Sequence, residues 1–340
     1  MGFSSQTGVT VIGTQDDPGE FKADLATTGV AMRLTSGAMT LSREALIYDP
    51  EIGGGRDISD AFLGPASASG SFEFYPRFGS STATLLRAAL GAAESEAGSD
   101  SAVYTHSIVP VDDTALPYLS IYQQLSSGLE RSNFTDVVVN TFHLEADANG
   151  FLTGSVELIG KDQTFDAPVV DPTALYDTTT GTVGTSIRIM KDGVNLKPKS
   201  FSLDINNNFE DDDFRLGQFH LEDLTPKRRE VTLSTNLRHE DRTILRQALM
   251  GSAGATELSG QTDKSALVIE IVSYQLIAGA SAATPHKLTL TIPEVMIQPV
   301  SIEPSGDDIL ENDVEWQAVR PDPAVPIMPA ELHNGVATIA

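Results

Sequence analysis

Residues 209–214 read Phe-Glu-Asp-Asp-Asp-Phe, with four carboxylates in a row. Hard oxygen donors gathered in this way suit Ca²⁺. The run lacks the spaced ligands and central glycine of an EF-hand loop, so it reads first as a solvated acidic loop. The six histidines, His106, His143, His220, His239, His286 and His333, are scattered. No two stand at the i, i+4 spacing of a helical metal site. Gly53-Gly54-Gly55 follows Glu51-Ile52 and opens no helix, so it reads as a loop tip rather than a phosphate cradle. Asn133-Phe134-Thr135 matches a glycan acceptor, with nothing else pointing to secretion. No GxSxG, P-loop or HExxH motif occurs. The absence of cysteine removes disulfides, thiolate metal sites and thiol nucleophiles. The expectation is a protein that is not an enzyme, with no catalytic, metal or cofactor-binding residue and no cofactor.

The chain of 340 residues suits two domains by length, and 40% hydrophobic content suffices for ordinary cores. Its net charge is −25, from 47 acidic and 22 basic residues. A grip on nucleic acid comes from Lys and Arg neutralising phosphates. The balance therefore argues against a DNA-gripping protein, but not against one past which DNA must slide. It reads equally well as a solubility surface for a salty habitat. The opening MGFSSQTGVTVIGTQDD has neither a basic region nor a long apolar run, so no secretory signal is expected. Gln6 stands where a myristoylation signal needs Ser or Thr. No apolar run approaches the ~18 residues of a membrane span, and no membrane partner is expected.

The elements that must position these residues are mostly strands. In TFHLEADANGFLTGSVELIG, Phe142, Leu144 and Ala146 alternate with polar residues, Asn149-Gly150 turns the chain, and Leu152, Val156 and Leu158 resume the alternation. Ile187 and Ile189 lead into a second hairpin turn at Asp192-Gly193. Further strands are expected in AVYTHSIVPV, LPYLSIYQQL, SALVIEIVSYQLI, HKLTLTIPEVMIQPVSI and DVEWQAV. Two helices stand out. Leu85, Leu86, Ala89 and Leu90 form one apolar face, with Ser80 or Ser81 as the expected N-cap and Gly91 at the C-terminal end. Ile244, Leu245, Ala248 and Leu249 form the other, with Glu240 and Asp241 near its start and Gly251 after it.

These helices belong to a repeat. GSFEFYPRFGSSTATLLRAALG at 70–91 and REVTLSTNLRHEDRTILRQALMG at 229–251 superpose at an offset of about 159. Phe72 falls on Val231, Phe74 on Leu233, Phe78 on Leu237, Leu86-Arg87 on Leu245-Arg246 and Ala89-Leu90 on Ala248-Leu249. Each copy is a strand, a turn and a helix. Each follows a long connection carrying apolar residues: Ile52, Ile58, Phe62 and Leu63 in one, and Phe209, Phe214, Leu216, Phe219 and Leu221 in the other. Such a loop either docks onto a neighbour or folds back on its own domain. A proline- and threonine-rich stretch after Lys161 marks a boundary. The expected division is an N-terminal arm (1–27), a first domain (28–165), a linker (166–184), a second domain (185–320) and a C-terminal arm (321–340). The last is too rich in proline for a central strand.

In order and context, ASGSFEFYPRFGSSTATLLRAALGA, LPYLSIYQQLSSG, VVVNTFHLEADANGFLTGSVELIGKD and the closing LTLTIPEVMIQPVSIEPSGDDILENDVEWQAVRP resemble the tail tube proteins of long-tailed bacteriophages. Together they cover most of residues 28–320. The resemblance implies a mainly β fold of two tandem tail-tube-type β-sandwich or partly open barrel domains, each with one short flanking α-helix. It implies self-association into stacked rings around a DNA-conducting lumen. Two domains per chain would let three copies make a pseudo-sixfold ring. The family's long loops reach a neighbouring domain or ring, which makes Ile58, Phe62, Leu63, Phe214, Phe219 and Leu221 the expected inter-subunit contacts. Glu145, Asp147 and Glu157, on the polar side of their hairpin, become lumen candidates. Periodicity alone leaves lumen and outer wall equally open. The implied partners are the tape measure, tail terminator and distal tail or baseplate proteins, with DNA passing without sequence-specific binding. The implied location is the virion tail, with assembly in the host cytoplasm; two fused domains lean toward a non-contractile tail, and a contractile one stays open.

Three other classes remain as alternatives. A capsid decoration or baseplate protein would form no self-closing tube. A carbohydrate-binding β-sandwich would present exposed aromatics, whereas Trp316, the one tryptophan, lies in a strand-like run. A metal-dependent hydrolase would need carboxylates and histidines to converge in space.

Overall fold

The computed structural model describes residues 5–49, 51–53, 57–58, 60–112, 116–126, 130–238, 242–299 and 311–339. The first half of the chain holds β1 (Val9–Thr14), α1 (Leu25–Thr28), β2 (Val30–Met32), β3 (Leu34–Ile47), β4 (Ala61–Phe74), α2 (Ser81–Leu90), β5 (Gly91–Ala97), β6 (Tyr104–Pro110), β7 (Leu119–Gln124), β8 (Arg131–Asp147), β9 (Thr153–Gly160) and β10 (Asp162–Phe165). The second holds β11 (Ile187–Lys191), β12 (Val194–Asn195), β13 (Ser200–Asn206), β14 (Glu230–Arg238), α3 (Thr243–Met250), β15 (Ser265–Leu276), β16 (Pro285–Ile297), β17 (Glu311–Ala318) and β18 (Ala330–Asn334). The fold is mainly β and sandwich-like, and its named strands pair antiparallel.

One sheet runs through both halves in the order β3–β4–β9–β8–β13–β14–β17–β16. The order repeats after four strands, so β3, β4, β9 and β8 correspond to β13, β14, β17 and β16. A single row of paired residues crosses all eight: Leu34, Phe74, Gly154, Leu144, Leu203, Leu233, Trp316 and Ile297. All but Leu34 are buried. The two copies fill the same space differently. In the first, a Cβ on Gly154 would come within 3.1 Å of the Phe74 ring, so the large residue is on β4. In the second, Leu233 is the smaller member and Trp316 the larger. The bulkier member thus sits on β4 in the first copy and on β17 in the second, so the distribution of bulk is reversed.

A second layer covers the buried side of this sheet. In the first half it runs β2–β1–β7–β8–β10. In the second it runs β12–β11–β15–β16–β18–β6–β5. The long strands β8 and β16 belong to both layers, changing partners partway, as strands do at sandwich corners. In β16 the change falls at Pro293, which cannot donate to a ladder. One apolar cluster fills the space between layers and continues from Phe72 and Phe142 to Val231, Ile269 and Trp316.

The repeated strand–turn–helix unit is present as β4–α2 and β14–α3. Asn149-Gly150 lies in a turn, and Asp192 and Gly193 both have positive φ (49° and 80°), the signature of a type I′ hairpin. The cap of α2 differs from expectation. Neither Ser80 nor Ser81 caps through its side chain. Instead Asp177, from the stretch after β10, accepts hydrogen bonds from the Ser80 and Ser81 amides (2.8 and 3.2 Å) and from the Ser81 hydroxyl. His239, Glu240 and Asp241 lie outside the described residues, as do Gly54 and Gly55. The proline-rich stretch also differs. Its prolines end at Pro329, and residues 330–334 then form β18, inserted between β16 and β6 of the same chain.

Candidate functional site

Side chains alternate across a strand, so the row next to the buried one points the other way. It reads Ser36, Glu73, Ser155, His143, Asp204, Thr232, Gln317 and Met296. Two strand residues further on, Thr153, Glu145, Ser202, Ser234 and Glu315 form a parallel row. On the other side lie Ser71, Glu157, Thr141, Asn206 and Glu230. Asp147 is opposite Ser200, and Asp313 is opposite Asn236. Glu145, Asp147 and Glu157 thus share one solvent-facing surface with Glu73, Asp204, Glu230, Asp313 and Glu315. This face spans both halves of the chain.

His143 is the one histidine in these rows, and it sits where the halves meet. Its Nδ1 is 2.6 Å from Asp204 of β13, and its Nε2 is 3.5 Å from Glu145. The hydrogen bond to Asp204 raises its pKa against the opposing effect of burial, with Glu145 adding to the rise. Its protonated form is thereby favoured, and it faces carboxylates of its own chain rather than an external anion. The interior of the face has no other basic side chain in its rows. Arg238 lies at its rim opposite Glu311, and Lys199 pairs with Glu311.

The two long connections have different shapes. Most of the first is a two-stranded hairpin, not a loop. Phe62 pairs with Leu46 and Leu63 with Ala45, which extends β3 and β4 well beyond the neighbouring β9. Leu46, Ile47, Tyr48, Ile52, Ile58, Phe62 and Leu63 are all exposed there, with Tyr48 packed edge-on against Phe62 at 5.8 Å. In the second connection Phe214, Leu216 and Phe219 are exposed. Leu221 is only 3% exposed and packs with Phe209, Leu224, Val138 and Ile159 of its own chain. It therefore leaves the set of contacts expected with a neighbour. This loop lies along the hairpin's base, where the Ala66 amide donates to the Phe219 carbonyl (2.7 Å). Phe219 thus stands next to the hairpin that carries Phe62 and Leu63.

The edges of the eight-stranded sheet are β3 and β16. Among the described residues, β3 pairs only with β4, and Met296 and Ile297 of β16 pair only with β17. Their counterparts β13 and β8 pair with each other over seven residues, Ser200–Asn206 against Asp147–Thr141. Polar side chains fasten this internal junction. Asn207, buried, donates to the Ala89 and Val139 carbonyls (both 3.0 Å) and accepts from Arg229 Nε. Arg229 also donates to the Leu90 carbonyl, so a cation meets the C-terminal end of α2.

Among the described residues, no group of three or more His, Asp or Glu side chains is placed to hold a metal ion. In the acidic run, Asp213 pairs with Arg215 at 2.8 Å. No helix among these residues is long and apolar enough to cross a membrane. The sequence reading missed Asp177, Asn207 and Arg229, since each acts on an element far away in the chain. Compared with known proteins, the chain matches the family model described as phage tail tube protein over residues 5–318. No curated protein matches it.

Proposed function

The chain belongs to the phage tail tube protein family, and from that membership we propose that copies of it close side by side into rings whose stacked acidic faces line a conduit for DNA. The observation that carries this reading is the eight-stranded sheet itself, with one acidic face, β3 open along one edge and Met296–Ile297 of β16 open at the other. Unpaired edges invite pairing with another chain, and ring closure removes them. The internal β8–β13 junction supplies the pattern. The β16 edge of one copy meets the β3 edge of the next, so that every four-stranded unit has the same neighbours. Each chain carries two such units, which supports the two-domain division, and three copies then make a pseudo-sixfold ring.

The acidic face suits the lumen. Carboxylates repel phosphates, and a duplex slides past a wall that offers no cations to release its counterions. Glu145, Asp147 and Glu157 take this role, and His143 is held neutralised among acids. The protruding hairpin with Ile58, Phe62 and Leu63, and the adjacent Phe214 and Phe219, form the contact with a neighbouring subunit or ring. An exposed apolar group of this kind marks an interaction surface. The tape measure, terminator and distal tail proteins are the expected partners, in a non-contractile virion tail assembled in the host cytoplasm.

Electron microscopy of the concentrated protein, with averaged end-on views, tests the reading. Hollow tubes with three chains and six similar lobes per ring are expected. Rings of six chains would refute the substitution of a repeat for a subunit. Monomers that persist at all concentrations and salts would refute the tube.

A further inference from the structure

The two copies of the helix are buried to very different extents, and the difference points to a second contact between chains. Nine of the ten residues of α2 are buried, whereas Gln247 is the one buried residue of α3. α2 packs against β8, β5 and β6 of its own half, and the second half then closes over this group. β6, which follows α2 through β5, pairs with β18. Asn334, the last residue of β18, donates to the Phe78 and Gly79 carbonyls just ahead of α2. The segment after β18 then meets the helix, where Arg87 donates to the Ile339 carbonyl (3.5 Å). Ile339 packs against the main core.

The counterparts of all these parts exist and are unpartnered. Arg246 corresponds to Arg87 in the repeat, and its side chain makes no hydrogen bond or ion pair among the described residues. Residues 252–264 follow α3 as β5 and β6 follow α2, yet they hold no strand, and Leu258 is 83% exposed. The counterpart of β18 is β10, which lies against β8 as β18 lies against β16. Among the described residues β10 has no second strand. Phe165 ends β10 and is exposed, and Val169, in the segment that follows β10 as residues 335–339 follow β18, is 70% exposed.

We propose that α3 and residues 252–264 of one copy dock on β10 and the Phe165–Val169 segment of the next copy, with Arg246 donating to a backbone carbonyl of that segment. The occupant is a second copy of this chain, because the interface already exists once inside the chain and both of its outer halves are left open. The inference rests on the side-by-side closure proposed above, and adds a contact in the outer layer to the edge pairing in the inner one. It also explains why residues 252–264 have no strand in a single copy: the edge that would order them belongs to another chain.

The native chain has no cysteine, so crosslinking can be made specific. Full-length protein carrying Leu249→Cys and Val169→Cys is assembled and treated with a short bis-maleimide. Both positions are substantially exposed, and melting of the dilute protein checks that the fold is kept. Covalent dimers and trimers are expected from the double variant, and monomers from either single variant. Tubes that yield only monomers overturn the docking and leave the ring reading standing. A covalent ladder running past the trimer places the contact between rings and overturns it as well. An unmodified chain that never self-associates overturns both. Arg246→Ala should raise the concentration for half-assembly about tenfold, the effect of losing a charged hydrogen bond, and an unchanged value would remove Arg246 from the contact.

Discussion

Replacing Asp177 by alanine tests how the stretch between the two halves holds α2 in place. The carboxylate accepts from the Ser80 and Ser81 amides and the Ser81 hydroxyl through one oxygen, and from the Thr179 amide and hydroxyl through the other. Losing an N-cap costs about 1 kcal/mol. Two further buried donors left without acceptors add about 1 kcal/mol each at the low end, giving about 3 kcal/mol with a ceiling near 5. With an unfolding entropy of about 2.1 cal/mol/K per residue, a chain of this length would melt about 4–7 °C lower. The assay is denaturant and thermal unfolding at concentrations below self-association, because assembly itself raises apparent stability. Burial alone would raise this carboxyl's pKa, but the hydrogen bonds from Ser80, Thr179 and Ser81 hold it below its ordinary value. Its contribution is therefore present above the unfolded pKa near 4 and fades as pH falls through the lower folded value. The gap between wild type and Asp177→Ala should narrow over that interval. A loss below about 0.5 kcal/mol at pH 7 would refute the capping role.

Other outcomes follow from the same geometry. Gly154→Ala pushes a methyl against the Phe74 ring and should cost about 1–3 kcal/mol in denaturant unfolding, and adding Phe74→Leu, the solution of the second copy, should recover part of the loss. Phe62→Ser with Leu63→Ser should leave monomer stability within about 0.5 kcal/mol but shorten or abolish tubes seen by electron microscopy. Glu145→Lys with Glu157→Lys should permit assembly yet give tubes that retain DNA in a salt-sensitive way, the salt slope steepening with each phosphate the new lysines neutralise.

Much of the fold could be read from the sequence where local rules act alone. Phe142, Leu144 and Ala146 alternate as a half-buried strand must, and Asp192-Gly193 could hardly be other than a tight turn. Phe62 and Leu63 were harder, because Gly64-Pro65 interrupts any alternation. Their strand is set by pairing with β3, and the proline is accommodated at a register shift between Arg43 and Ala45. Asp177 lies 97 residues from the amide it caps, so the local rule pointed to the serines instead. The prolines of 321–329 hid β18, which begins directly after them. At the candidate site, period-two alternation placed Glu145, Asp147 and Glu157 on a polar side. Only the β8–β13 register joined them to Asp204 and Glu315 on one surface. Leu221 could not be told from Phe219 by type, since burial of one and exposure of the other depend on where the loop settles.

The position of β18 between β16 and β6 has a consequence for how the molecule is made. β6 is completed by a strand 228 residues further along the chain, judged by the Thr105–His333 pair. At about 5–20 residues per second on the ribosome, the edge of β6 waits roughly 10–45 s for its partner to be synthesised. During that interval the open edge of β6 is a strand that other nascent chains could capture. A chain ending before residue 330 would carry that edge permanently, since no other strand among the described residues is placed to pair with it on that side.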